Sequence, residues 1–113
     1  MEHINEFKKE FRKGDSGAKY LFIGPKFDLG IMVLKPGETM GGHYHEEVEE
    51  IFYFPEGGPV ITINGDDIKV KDGDAFRMEV ADTHDIRNTT DKPVKIIFIK
   101  CPSIPKDKIN FVL

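Results

Sequence analysis

The chain has 113 residues, 39% of them hydrophobic, with nine Phe and three Tyr, which is enough for one modest packed core and argues against bulk disorder. Its formal net charge of −4, without any basic block, excludes nucleic acid and an anionic membrane as expected partners. No apolar run reaches the roughly 18 residues that a spanning helix needs.

The first stretch, MEHINEFKKEFRKGDSG, lacks the apolar core of a signal peptide, so the expected location is the cytoplasm. Ile4, Phe7 and Phe11 recur at helical spacing and predict one short amphipathic helix, with an edge strand as the competitor. Gly14 to Gly17 closes that segment. Strand patterns follow almost without interruption: AKYLFIG, FDLGIMVLKPG, EEIFYF, PVITING, DIKVKDG, AFRMEV, HDIRN and VKIIFIK. Turn residues separate them, and Asn64-Gly65 is the strongest hairpin signal, because a type I′ turn needs positive φ at both central residues. No helix of useful length fits between the strands, which excludes βαβ units. The pattern predicts an all-β fold, an antiparallel barrel or jelly roll, in one domain over 1–113 with its barrel core at roughly 19–100. The tail CPSIPKDKINFVL is expected to pack on the outside of the barrel or on a second subunit. Cys101 is the only cysteine, so no internal disulfide or CxxC metal knuckle can form. It reads as a small strand-end or core residue.

Chemistry concentrates in GHYHEEVEEIFYFPEG, residues 42–57. Side chains two apart on a strand point the same way, so His43 and His45 share a face. The charged stretch from Glu46 to Glu49 reads as a turn that resets the parity. In the following strand Glu50 shares a face with Phe52 and Phe54, which places it at the rim of the interior. Glu46, Glu47 and Glu49 then read as solvated turn residues. His84 shares its face with Ile86 and Asn88, while Asp85 and Arg87 alternate outward. His3 lies near the terminus and is assigned no role. Three imidazoles and one carboxylate suit a divalent transition metal, whereas a hard ion such as calcium would want more oxygens.

These residues resemble the cupin superfamily. Its first motif, G-x5-H-x-H-x4-E-x6-G, is matched by Gly37, His43, His45, Glu50 and Gly57. Its second, G-x5-P-x-G-x2-H-x3-N, is matched by Gly73, His84 and Asn88, with Glu79 in place of Pro and Ala81 in place of Gly. Asp82 and Thr83 are expected to support the altered turn through side-chain bonds to the backbone. The resemblance implies a double-stranded β-helix with a metal in one mouth, held by His43, His45, Glu50 and His84. Family members use iron, manganese, nickel, zinc or copper, and the sequence does not choose among them. The resemblance also implies a homodimer, with Tyr53, Ile97, Ile99 and the terminal FVL as candidate interface residues.

By parity, Met40, Phe52, Phe54, Phe76, Met78, Ile86 and Phe98 are the expected lining of the interior. That lining is apolar, and Arg77 and Arg87 fall on the outward parity. It predicts a small neutral or planar ligand that chelates the metal, as in the metal-dependent dioxygenases of the superfamily. Two other readings stand beside this one: an isomerase or lyase acting on a sugar or keto acid with the metal as Lewis acid, and a non-catalytic ligand-binding or sensor module. Fold alone does not separate them.

Overall fold

The computed structural model describes residues 1–110, and the strands fall into two five-stranded sheets in which every recorded pairing is antiparallel. In chain order the strands are β1 (Gly17–Ile23), β2 (Asp28–Leu34), β3 (His43–Tyr44), β4 (Glu49–Tyr53), β5 (Val60–Ile63), β6 (Asp66–Lys69), β7 (Ala75–Met78), β8 (His84–Arg87), β9 (Val94–Cys101) and β10 (Ile109–Asn110). One sheet runs β1-β2-β9-β4-β7 and the other β10-β3-β8-β5-β6. This is the predicted jelly roll. Its strands follow the eight sequence patterns, with the short β3 and β10 added.

The inner face of the first sheet is built in rows. Gly30, Phe98, Phe52 and Phe76 lie side by side across β2, β9, β4 and β7. Phe52 and Phe54 are fully buried, as are Ile61 and Ile86 from the facing sheet. Each such burial contributes roughly 1.5–3 kcal/mol. One row nearer the mouth lie Asp28, Lys100, Glu50 and Met78. Polar chemistry thus sits one step above the aromatic floor.

Asn64 and Gly65 take φ of 49° and 87°, the paired positive values of the predicted hairpin turn. Asn88 is a structural residue. Its amide donates to the Leu34 and Lys92 carbonyls, and its oxygen accepts from the Thr90 backbone and hydroxyl. Cys101 is an exposed strand-end residue.

The N-terminal helix does not form. The segment holds one 3₁₀ turn, Glu6–Lys8, capped by Asn5, and an isolated bridge between Phe11 and Gly14. A helix this short is marginal without packing to support it. Here the Glu6 and Lys9 carbonyls accept from the Lys19 ammonium, and Lys95 pairs with Glu6. The arm therefore lies against the barrel as irregular chain and carries Arg12 toward the mouth.

The described part of the tail, residues 101–110, packs on the barrel itself. Ile109 and Asn110 pair with Tyr44 and His43. The Asp107 carboxylate accepts from the backbone N–H of Glu46, Glu47 and Val48 at 2.7–2.9 Å. Those three donors outweigh the effect of desolvation and hold Asp107 below the ordinary carboxylate value of 3.8. The stabilisation is therefore present above that value and lost as pH falls through the lowered one. Asp107→Asn is expected to cost about 1–2 kcal/mol at pH 7, the size of a lost capping carboxylate. Urea midpoints at pH 7 and pH 3 check this. A gap between variant and parent that is equally wide at both pH values would contradict it.

Of the candidate interface residues, Tyr53 is exposed and Ile97 and Ile99 are half-buried. The terminal FVL lies outside the described residues. Among the described residues, no helix is long and apolar enough to cross a membrane.

Candidate metal centre

His43 on β3 pairs directly with His84 on β8, so one sheet brings two imidazoles together, with ring centroids 4.2 Å apart. His45 follows two residues after His43. Glu50 enters from β4 of the other sheet. One carboxylate oxygen, Glu50 Oε1, lies 3.7 Å from His43 Nε2, 3.0 Å from His45 Nε2 and 3.3 Å from His84 Nε2. All four side chains are buried, and one ligand atom from each lies within 4.8 Å of every other.

The other nitrogen of each ring shows which way the imidazoles are set. His43 Nδ1 meets the Gly41 carbonyl at 3.0 Å, and His84 Nδ1 meets the Asp82 carbonyl at 3.0 Å. His45 Nδ1 contacts the Asp107 carbonyl. A carbonyl only accepts, so each Nδ1 is placed to donate there, and a ring in that neutral tautomer would offer its Nε2 lone pair inward. In that tautomer three lone pairs and a carboxylate oxygen would face one another. That arrangement is unfavourable unless a cation lies among them. Two ligands each about 2.1 Å from one ion sit roughly 3.0–3.4 Å apart, close to the spacing observed here. The residues fit a divalent metal, and the backbone carbonyls supply the outer contacts that orient metal-binding histidines.

Charge supports the same reading. Burial would raise the Glu50 carboxyl, but the three imidazoles and the Lys100 charge outweigh it and hold Glu50 well below the ordinary carboxylate range. Burial pushes His43 below the ordinary imidazole value, against the pull of Glu50. Both shifts keep the ligand-competent forms, carboxylate and neutral imidazole, at neutral pH.

The turn before His84 forms without the family's Pro and Gly. Ala81 takes a positive φ of 72°. Its N–H donates to the His45 carbonyl at 2.8 Å, which ties this turn to the other histidine segment. Asp82 accepts from the Glu79 N–H at 2.9 Å, and Asn64 accepts from the Thr83 N–H at 2.9 Å. Asp82 plays its expected part, while the acceptor for Thr83 comes from the β5–β6 hairpin.

A cavity of about 230 Å³ opens beside His43, His45 and Glu50. Met40 and Phe98 border it. Phe52, Phe54, Met78 and Ile86 lie instead in the packed core, with Phe76 against them. The apolar lining expected from parity is not the whole wall. Lys100 borders the cavity, joined by Arg12 and Lys108 from the two terminal segments. Alternation along VKIIFIK carries a signal for Lys100, since Phe98 and Lys100 share a face. No local pattern announces Arg12, Asp107 or Lys108. Arg87 follows its outward parity and pairs with Asp67. Asp85 does not: it is buried and accepts from the Gly41 N–H, because residues 39–41 cross over it. Glu46, Glu47 and Glu49 are exposed, as expected of turn residues, although Glu49 opens β4.

Known proteins share this arrangement to differing degrees. The chain is 29% identical over 84 residues to the tetracenomycin polyketide synthase protein TcmJ of Streptomyces glaucescens, covering 74% of this chain and 56% of that protein. It is 34% identical over 68 residues to an oxalate-binding protein of Thermotoga maritima, covering 60% and 56% respectively. The chain thus spans little more than half the length of these curated relatives. Among solved structures, a Klebsiella pneumoniae protein with a double-stranded β-helix domain superposes over 100% of both chains, with a TM-score of 0.84 at 15% identity. That likeness concerns the fold. The cupin domain profile matches residues 30–100, more than half of the chain and the whole of the His43 to His84 constellation. The chain belongs to the cupin family.

Proposed function

We propose that this cupin binds one divalent transition metal through His43, His45, Glu50 and His84, and acts as a metal-dependent enzyme on a small molecule in the adjoining cavity. The observation that carries this reading is the convergence of three Nε2 atoms and Glu50 Oε1 on one buried point beside that cavity. A bound metal would supply Lewis-acid or redox chemistry that these side chains lack. The chain's own residues hold the site together. Gly41, Asp82 and Asp107 orient the rings through their carbonyls, and Met40 and Phe98 supply apolar wall.

An oxygenase-type reaction on a chelating substrate remains the leading reading. An isomerase or lyase reading, on a sugar or keto acid, gains support from Lys100 in the wall, since a cation there suits an acidic substrate. A purely ligand-binding role draws its support from the Thermotoga maritima oxalate-binding relative.

Elemental analysis of freshly purified protein tests the shared premise, with about one transition-metal ion per chain expected. Iron together with oxygen uptake on a diketone selects the oxygenase. Zinc or manganese without oxygen uptake, with turnover of a keto acid, selects the isomerase or lyase. Ligand-induced stabilisation without turnover selects the binding role. A protein that neither carries nor takes up a transition metal would sink all three.

A further inference from the structure

Lys100, Lys108 and Arg12 border the same cavity as His43, His45 and Glu50. Strand register places Lys100 directly between Asp28 and Glu50 on the inward row. Neither carboxylate neutralises it by contact. Glu50 Oε1 faces the three imidazoles. Asp28 Oδ1 accepts from the Gly24 N–H at 2.9 Å and from the Ser103 hydroxyl at 2.5 Å. Lys100 Nζ donates instead to Tyr20 Oη at 2.7 Å and lies 5.3 and 5.5 Å from the Tyr20 and Phe98 ring centroids.

Among the described residues, none of the three cations forms an ion pair with a carboxylate. They nevertheless sense one another. Partial burial, and then the like charges of Lys100 and Arg12, push the Lys108 ammonium below its ordinary value, against the pull of Glu50. The same wall carries Glu38, Glu50 and Asp107, but Glu38 pairs with Lys13, Glu50 Oε1 faces the imidazoles and Asp107 accepts from backbone N–H groups, which leaves Arg12, Lys100 and Lys108 without a carboxylate contact. Converging like charges repel, and a further anion seated among them would relieve that repulsion.

We propose that this wall receives the anionic head, carboxylate or phosphate, of a small organic molecule whose other end faces the metal-ligand cluster. The proposal rests on the metal reading above for that second contact. Lys100 supplies the inner contact, from a side chain already held by Tyr20. Arg12 and Lys108 close over the head from the two terminal segments. At about 230 Å³ the cavity is smaller than the roughly 300–1,000 Å³ of drug-sized sites, so the molecule has only a few carbons.

Calorimetric titration tests this on purified protein whose metal content is measured in the same sample. The probes are malonate, inorganic phosphate and malonamide, the neutral counterpart of malonate. Malonate or phosphate is expected to bind at least about tenfold more tightly than malonamide, and added salt is expected to weaken only the anions. Tighter malonate assigns a carboxylate head, and tighter phosphate a phosphate head. Lys100→Gln and Lys108→Gln should each weaken the preferred anion by about tenfold or more while metal content holds. Lys108 is exposed, so its variant keeps the test open if Lys100→Gln fails to fold. The proposal is overturned if malonamide matches malonate, if neither anion binds, or if both variants keep parental affinity. Anion binding that survives in protein unable to hold metal would defeat the metal reading and leave the charged wall standing.

Discussion

Replacing His43 and His45 together by alanine is expected to drop metal content from about one ion per chain to less than a tenth of that. The double variant leaves only His84 and Glu50, one ligand from each sheet, and a structural or catalytic site needs at least three protein ligands. Elemental analysis after gel filtration measures the outcome, and circular dichroism establishes that the barrel is still folded. Metal content equal to the parent would remove these residues from the site. Acidification supplies a second arm. Ligation needs neutral imidazoles, and burial holds His43 below its ordinary value of 6.5. The neutral form is therefore complete above that value and is lost as pH falls through the lowered one. Metal should be retained at pH 7 and released below about pH 6.

Gly30→Ala is expected to destabilise the fold by about 3 kcal/mol, lowering Tm by about 10 °C or more. Gly30 lies opposite Phe98 across β2 and β9. A Cβ at Gly30 would stand 2.2 Å from Phe98 Cζ, inside any real contact. The ring has little room to give way. Tyr20 meets it edge-on at 5.2 Å, and Phe52 flanks it across β4. Phe98 also borders the cavity, so any shift of the ring would narrow the small-molecule site as well as strain the core. Thermal unfolding followed by circular dichroism reads the effect. A variant as stable as the parent would show that the aromatic row is looser than this packing implies.

Both expectations draw on positions that the sequence treats unequally. His43, His45, Glu50 and His84 are legible because strand parity and motif spacing are local properties, and the structure places all four in one cluster. Gly30 is only a glycine inside a strand pattern until the register sets Phe98 against it. The N-terminal segment misleads for a related reason. Its helical spacing is real, yet Lys19 and Lys95 from distant strands take hold of its carbonyls and its Glu6 side chain.

Alternation, turn residues and two spaced motifs are enough, by themselves, to specify an antiparallel jelly roll and the four residues of its candidate metal centre. Each depends on neighbours only a few positions apart in the chain. Beyond Lys100, whose inward face alternation along β9 already carries, the character of the cavity was decided by tertiary structure. Its walls combine strand β9 with segments near both termini, and Asp107 reaches back some 60 positions to hold the loop that carries His45 toward Glu50. Periodicity reports which way a side chain leaves its own strand. It does not report which distant segment arrives to meet it, and here that arrival brings Arg12, Asp107 and Lys108 to a pocket expected to be apolar.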